Sequence, residues 1–276
     1  MKRALLLLVF FLASGVFGQT RTQRVMSGKD IFRAYRLAVV QIGLPERFSG
    51  VGFITSADGF VITANHVVAT RESGHRNFAQ EIQVYVTDAS GRTTAYPAKP
   101  AKQDEGRRVG NDTALLKITA HGLPYVKMGD WNEVDVADQV TVIPAFPRWG
   151  TMLLIGTVAN KTRVVFGESG ASPADVILFQ APVRNGFSGA PIFSSSGHVI
   201  GITNTKAFGI SPALEALRQK IAATSAGITV GGVNFLTIGA DIITGLDQGL
   251  ISGLGTGVSV SYAKEVQVSQ TSTSPR

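Results

Sequence analysis

The sequence predicts an all-β protein built as two packed β-barrels. Three observations carry that expectation. Short apolar runs of strand length follow one another along most of the chain. They fall into two sets separated by one linker around Gly122 and Pro124, which suggests two barrels with a site at their junction. The composition, with 31 glycines, 15 phenylalanines and few Ala/Leu/Glu/Lys tracts, favours turns and strands over long helices.

The first residues read as an export signal. Lys2 and Arg3 precede an apolar run of ten, Ala4 to Ala13, followed by small residues. That run is short for a bilayer span, and no other segment reaches ~18 uninterrupted apolar residues, so no stable span is expected once the signal is removed. Cleavage after Gly15 or after Gly18 fits, with Gly18 preferred (signal 1–18); the other reading is an uncleaved anchor. The expected location is exported, either periplasmic or secreted. Removing 1–18 leaves 24 basic against 19 acidic residues, a net +5. Arg21, Arg24, Lys29, Arg33 and Arg36 cluster with only Asp30 against them. A solvated basic leader is preferred to the other reading, contact with anionic envelope surfaces or nucleic acid, and no nucleic acid is expected as a partner. With no cysteine, an exported chain must be stabilised by its core, and thiolate chemistry is excluded.

Ser27 to Gly43 opens with capping residues and reads as a short helix running into a strand at Leu37 to Ile42. "VGFIT" and "GFVIT" flank Ser56-Ala57-Asp58-Gly59, a hairpin with an Asp-Gly turn. "IQVYVT" (Ile82 to Thr87) alternates, and "TALLKI" (Thr113 to Ile118) completes the first set. The second set comprises Gln139 to Ala145, Met152 to Asn160, Asp175 to Ala181, Ala190 to Ser194 and His198 to Asn204. Phe208 to Gly257 breaks this rhythm. Ser211 to Ala223 starts with Ser-Pro and places Leu214, Leu217 and Ile221 on one helical face, and a glycine-rich stretch follows. "GVSVSY" (Gly257 to Tyr262) is the last expected strand, and 265–276 is a polar tail. No internal repeat is visible.

"NGFSGAP" (Asn185 to Pro191) places Ser188 between glycines, where it is either a turn residue or a nucleophile. A nucleophile needs a base, a group that orients the base, and donors for an oxyanion. Of four histidines, His66 lies at a strand end beside small residues, whereas His75, His121 and His198 read as exposed. Asp112 is a single carboxylate at the head of an apolar strand: a turn residue, or a buried partner for an imidazole N–H. The order His66, Asp112, Ser188 is one of the known orders of a hydrolytic triad. The rival G-x-S-x-G elbow fails, because the second glycine is replaced by Ala190.

Taken together, "GFITSADGFVITANHVVA", "NDTALLKI" and "GFSGAP" resemble the three active-site blocks of trypsin-like serine peptidases, in their bacterial HtrA/Deg-type branch. "LPYVKMGDWNEVDVADQVTVIPAFP" resembles that branch's inter-barrel linker and the strand after it. The resemblance covers Leu37 to Asn204. It implies two six-stranded antiparallel barrels of trypsin-like type, about 37–120 and 135–262, within a domain of 19–264 that carries an insertion at 208–256. It implies that His66 is the general base, Asp112 its orienting acid and Ser188 the nucleophile of a serine endopeptidase. The backbone N–H groups of Gly186 and Ser188 would form the oxyanion hole, and no metal or cofactor is implied. Pro182, Val183, Thr205 and Lys206 would line the substrate pocket, which lacks an acid for a basic side chain. Polypeptides are the implied substrates, and oligomers are compatible with the branch.

The sequence departs from the pattern in three places. Phe187 stands where Asp or Asn is usual, which rules out pairing with a newly freed amino terminus and leaves two readings of the oxyanion loop, preformed or ordered only with substrate. The segment after Lys206 is too short for the branch's usual peptide-binding domain once the last strand is subtracted. In its place is the insertion, a helix and loop packed on the barrel or else a lid beside the cleft. A catalytically silent fold that binds polypeptides is the alternative from a different class.

Overall fold

A computed structural model describes residues 25–45, 47–72, 75–103, 112–164, 174–206, 216–217, 219–221, 229–230, 233–234, 236–240, 242, 252–262 and 264. Helix α1 (Gly28–Tyr35) is capped by Ser27, whose side chain accepts the Asp30 N–H, and leads through one 3₁₀ turn into the first strand. Strands β1 (Val39–Leu44), β2 (Arg47–Ile54), β3 (Phe60–Ala64), β4 (Ile82–Thr87), β5 (Thr93–Gln103) and β6 (Thr113–Ile118) close a barrel in the order β1-β2-β3-β6-β5-β4. Strands β7 (Gln139–Val142), β8 (Leu154–Val164), β9 (Ala174–Val183), β10 (Pro191–Phe193), β11 (His198–Lys206) and β12 (Ser252–Ser259) repeat that order. The β10–β11 and β7–β10 pairings close the second ring, and Lys127–Met128 of the linker adds a short parallel pairing to β11. The two halves thus share one topology without a visible sequence repeat.

Strand periodicity explains how the halves join. In β1, Val40, Ile42 and Leu44 point into the first barrel while Val39 faces the second; in β6, Ala114, Leu116 and Ile118 point inward while Leu115 faces across. Both faces are therefore buried, and these strands read as nearly unbroken apolar runs. Val51, Phe53 and Ile62 join the same inter-barrel core as Phe179, Ile192 and Phe193. α1 docks on the second barrel, with Tyr35 stacked on Phe193 at 5.2 Å between centroids.

Of the twelve barrel strands one was missed, and most of the others recur with shifted ends. β5 carries Pro97 and Pro100, which argue against a strand in sequence. Pro100 adjoins a bulge in the pairing with β6, where the ladder tolerates a missing N–H. The last strand runs from Ser252 to Ser259, earlier than expected, because it pairs with both β9 and β11. Of the expected helix in the insertion, residues 216–217 and 219–221 are described and helical; most of the expected insertion, the expected signal and the expected tail lie outside the described residues.

His198 corrects the expectation of an exposed, isolated imidazole: it is half-buried, with Nδ1 3.1 Å from Glu133 Oε2. Glu133 also accepts from Ser196 at 2.7 Å, Ser194 at 3.1 Å and the Asp130 N–H at 2.9 Å, joining the linker to the β10–β11 hairpin. Burial works upward on its carboxyl, but these hydrogen bonds outweigh it and hold the group below the usual range. A depressed carboxyl contributes stability above its unfolded pKa of about 4.3 and loses it as pH falls through the folded value. Glu133→Gln is therefore expected to lower the thermal unfolding midpoint at neutral pH, with the difference from wild type vanishing in strong acid; melts across pH check this.

Candidate active site

The sheet itself places the first two groups. β3 and β6 are antiparallel neighbours with Ala64 opposite Thr113, so the residues just beyond, His66 and Asp112, leave the barrel at the same end. The short helix α2 (Asn65–Val68) follows β3, and the Asn65 N–H donates to the Asp112 carbonyl at 2.8 Å. His66 is then clasped twice: its N–H donates to Asp112 Oδ1 at 2.9 Å, and Nδ1 lies 2.5 Å from Oδ2. A carboxylate only accepts, so this contact puts the imidazole proton on Nδ1 and leaves Nε2 free as a base. The His66 side chain is 39% exposed, Asp112 only 9%.

The second barrel brings the serine. Two successive turns, Arg184–Phe187 and Phe187–Ala190, are closed by N–H···O bonds of 3.2 and 2.9 Å. Gly186 (φ +91) and Gly189 (φ +88) occupy their third positions, where a type II turn needs positive φ. Gly189 has no alternative, since a Cβ there would sit 1.9 Å from the Val51 carbonyl. The Val51 N–H donates to the Ser188 carbonyl at 2.9 Å, fastening the loop to the first barrel. Among the described residues, the N–H groups of Gly186 and Ser188 find no protein acceptor, so two donors flank Phe187 unused.

Asn204, on β11, was not singled out in the sequence, yet it links both halves. Its side-chain amide donates to Asp112 Oδ2, and its main-chain carbonyl accepts the Ser188 hydroxyl at 2.8 Å. The hydroxyl thus rests on Asn204 rather than on His66. A polar residue inside an apolar strand was the available signal, but its partner Asp112 is 92 residues away.

The expected pocket residues divide. Val183 is buried, with its side chain against Gly255. Thr205 and Lys206 pair with Thr256 and Gly255 of β12, which brings these three to one stretch of sheet. Pro182 faces solvent. His121 is exposed as expected, and His75 lies in a small hairpin, Ala69–Glu72 with His75–Phe78. Among the described residues, no cluster of His, Asp and Glu has the makings of a metal site.

Known proteases are similar to this chain. A probable periplasmic serine endoprotease DegP-like of Ectopseudomonas mendocina is 33% identical over 159 residues, covering 56% of this chain and 29% of that protein. Protease Do-like 5, chloroplastic, of Arabidopsis thaliana is 31% identical over 166 residues, covering 58% and 48%. The chain therefore spans less than half the length of these relatives. The crystal structure of Deg5 aligns at 26% identity and TM-score 0.52, covering 64% of this chain and 83% of that one. The HtrA-type protease AlgW shares the fold at TM-score 0.59 and 19% identity, covering 90% and 68%. The sequence profile of the trypsin-like peptidase domain matches residues 50–202, more than half of the molecule, and the chain belongs to that family.

Proposed function

We propose that this chain is an exported serine endopeptidase that cleaves polypeptides through an acyl-enzyme. The observation that carries the reading is the Asp112–His66 clasp, which fixes the tautomer and which Asn204, bonded to both Asp112 and the Ser188 hydroxyl, ties to the nucleophile loop. In the reaction, the Ser188 hydroxyl turns from the Asn204 carbonyl toward Nε2, gives up its proton and attacks the scissile carbonyl. The Gly186 and Ser188 N–H groups receive the oxyanion, a contribution of about 3–4 kcal/mol per donor. The imidazolium, steadied by Asp112, protonates the leaving amine, and a water activated by His66 then releases the acyl group.

The chemistry runs on these side chains and backbone donors alone. The periplasmic DegP-like relatives support an exported protease, whose proposed location is periplasmic or secreted, and an oligomer is compatible with this reading. No helix among the described residues is long and apolar enough to cross a membrane. With no acid at Pro182 or Val183, cleavage after small or medium apolar residues is the proposed preference over cleavage after Lys or Arg. One observation favours the second reading, a silent polypeptide-binding fold: the Ser188 hydroxyl points to a carbonyl that cannot activate it.

A fluorophosphonate probe separates the two. Covalent labelling of the folded chain that disappears in Ser188→Ala supports the peptidase; absence of labelling across pH, with peptide present, supports the binder. Asp112→Asn is expected to slow labelling by about 10⁴, as loss of the orienting acid does in this class. Asn204→Ala removes a donor from a buried carboxylate and is expected to lower stability by about 1.5–3 kcal/mol, measured by denaturant unfolding.

A further inference from the structure

Phe187 stands between the two N–H groups that find no acceptor among the described residues, and the residue is only 3% exposed. It meets Phe146 edge to face, with centroids 5.3 Å apart at 64°, and Phe146 in turn meets Phe48 at 5.2 Å and 40°. The three rings come from three separate pieces of chain. Phe187 belongs to the nucleophile loop, and Phe48 to β2 of the first barrel. Phe146 belongs to a small hairpin in which Ala145 pairs with Thr151 and Phe146 with Gly150.

Gly186 lies directly on these rings. A Cβ at that position would come within 2.9 Å of Phe146 Cε1 and Cζ and 3.0 Å of Phe48 Cε1. The neighbouring residues are held by the backbone: Phe187 and Ala190 close their turns, Gly189 donates to Thr203 at 2.7 Å, and Ser188 accepts from Val51. The Gly186 N–H has no such anchor among the described residues. Its orientation is left to the turn and to the rings packed against its Cα. A glycine at φ +91 has wide conformational freedom, so something must restrict it if its N–H is to keep one direction.

We propose that Phe187, Phe146 and Phe48 form an aromatic brace that holds the Gly186 amide in its donor orientation before substrate arrives. Phe146 and Phe48 are positioning residues that act through Gly186. The brace is uncharged, so the loop is set by ring packing, whose geometric preference gives it direction, and not by an ion pair sensitive to salt or to a liberated amino terminus. The inference rests on the peptidase reading for its catalytic consequence, while its structural content is independent of it.

The test uses Phe146→Leu, which keeps an apolar side chain without the ring, and Phe146→Tyr, which restores the ring, each in the full chain. Two quantities are read: the ¹⁵N relaxation order parameter of the Gly186 amide, and the rate of Ser188 labelling by a fluorophosphonate probe. Phe146→Leu is expected to lower the Gly186 order parameter and slow labelling by at least about tenfold, up to the roughly 10²–10³-fold cost of one lost donor. Phe146→Tyr is expected to recover both. Phe187→Leu provides a second variant of the same kind should Phe146→Leu fold poorly. Wild-type order and labelling in the Leu variants would overturn the brace. If the wild-type chain is not labelled at all, the peptidase reading falls, and the Gly186 order parameter alone still decides whether the rings hold the loop.

Discussion

One buried carboxylate organises this molecule. Asp112 receives the main-chain and side-chain N–H of His66 and the side-chain amide of Asn204, so donors from both barrels converge on it. A carboxylate this far from water is tolerable only when its oxygens are satisfied, because leaving such a charge unpaired costs several kcal/mol. Its backbone is also unusual, at φ +33, a region that Asp enters more readily than most residues. The hydrogen bonds that settle the charge are the same ones that orient the imidazole. Site geometry and barrel docking are therefore one problem solved by one group.

The nucleophile loop shows the complementary strategy. Its polar side is fixed by main-chain hydrogen bonds to Val51 and Thr203, and its apolar side by Phe187 sunk into the inter-barrel core. Glycines appear where the backbone turns left-handed, and at Gly189 the nearby Val51 carbonyl leaves no room for a side chain. The loop is thus shaped from both sides before any ligand is present, with no charge in the scaffold between the barrels at this point.

Much of this was legible in the sequence. β4 and β6 were read to the residue, because alternation in "IQVYVT" and the apolar run "TALLKI" are local signals. His66, Asp112 and Ser188 stood out because small or glycine neighbours and strand ends mark them locally. β5 was hidden by two prolines whose tolerance depends on a bulge and on neighbouring strands. The Asn204–Asp112 bond, the His198–Glu133 contact and the three-ring array were hidden for a common reason: the partners are 92 and 65 residues apart in the first two cases, and in the third the rings come from three separate elements. Pairings of that kind are created by topology, and periodicity does not report them.

The division of labour between the barrels has a consequence for the order of events in the molecule's life. The base and its acid are encoded in the first half, the hydroxyl and the amide that completes the acid's shell in the second. A nascent chain that has emerged only as far as β6 holds an imidazole with nothing to deprotonate, and one whose halves have not yet met has no aligned nucleophile. On the proposed reading, cutting power arises only with the last step of folding, which shields the chain's own unfinished segments from self-digestion.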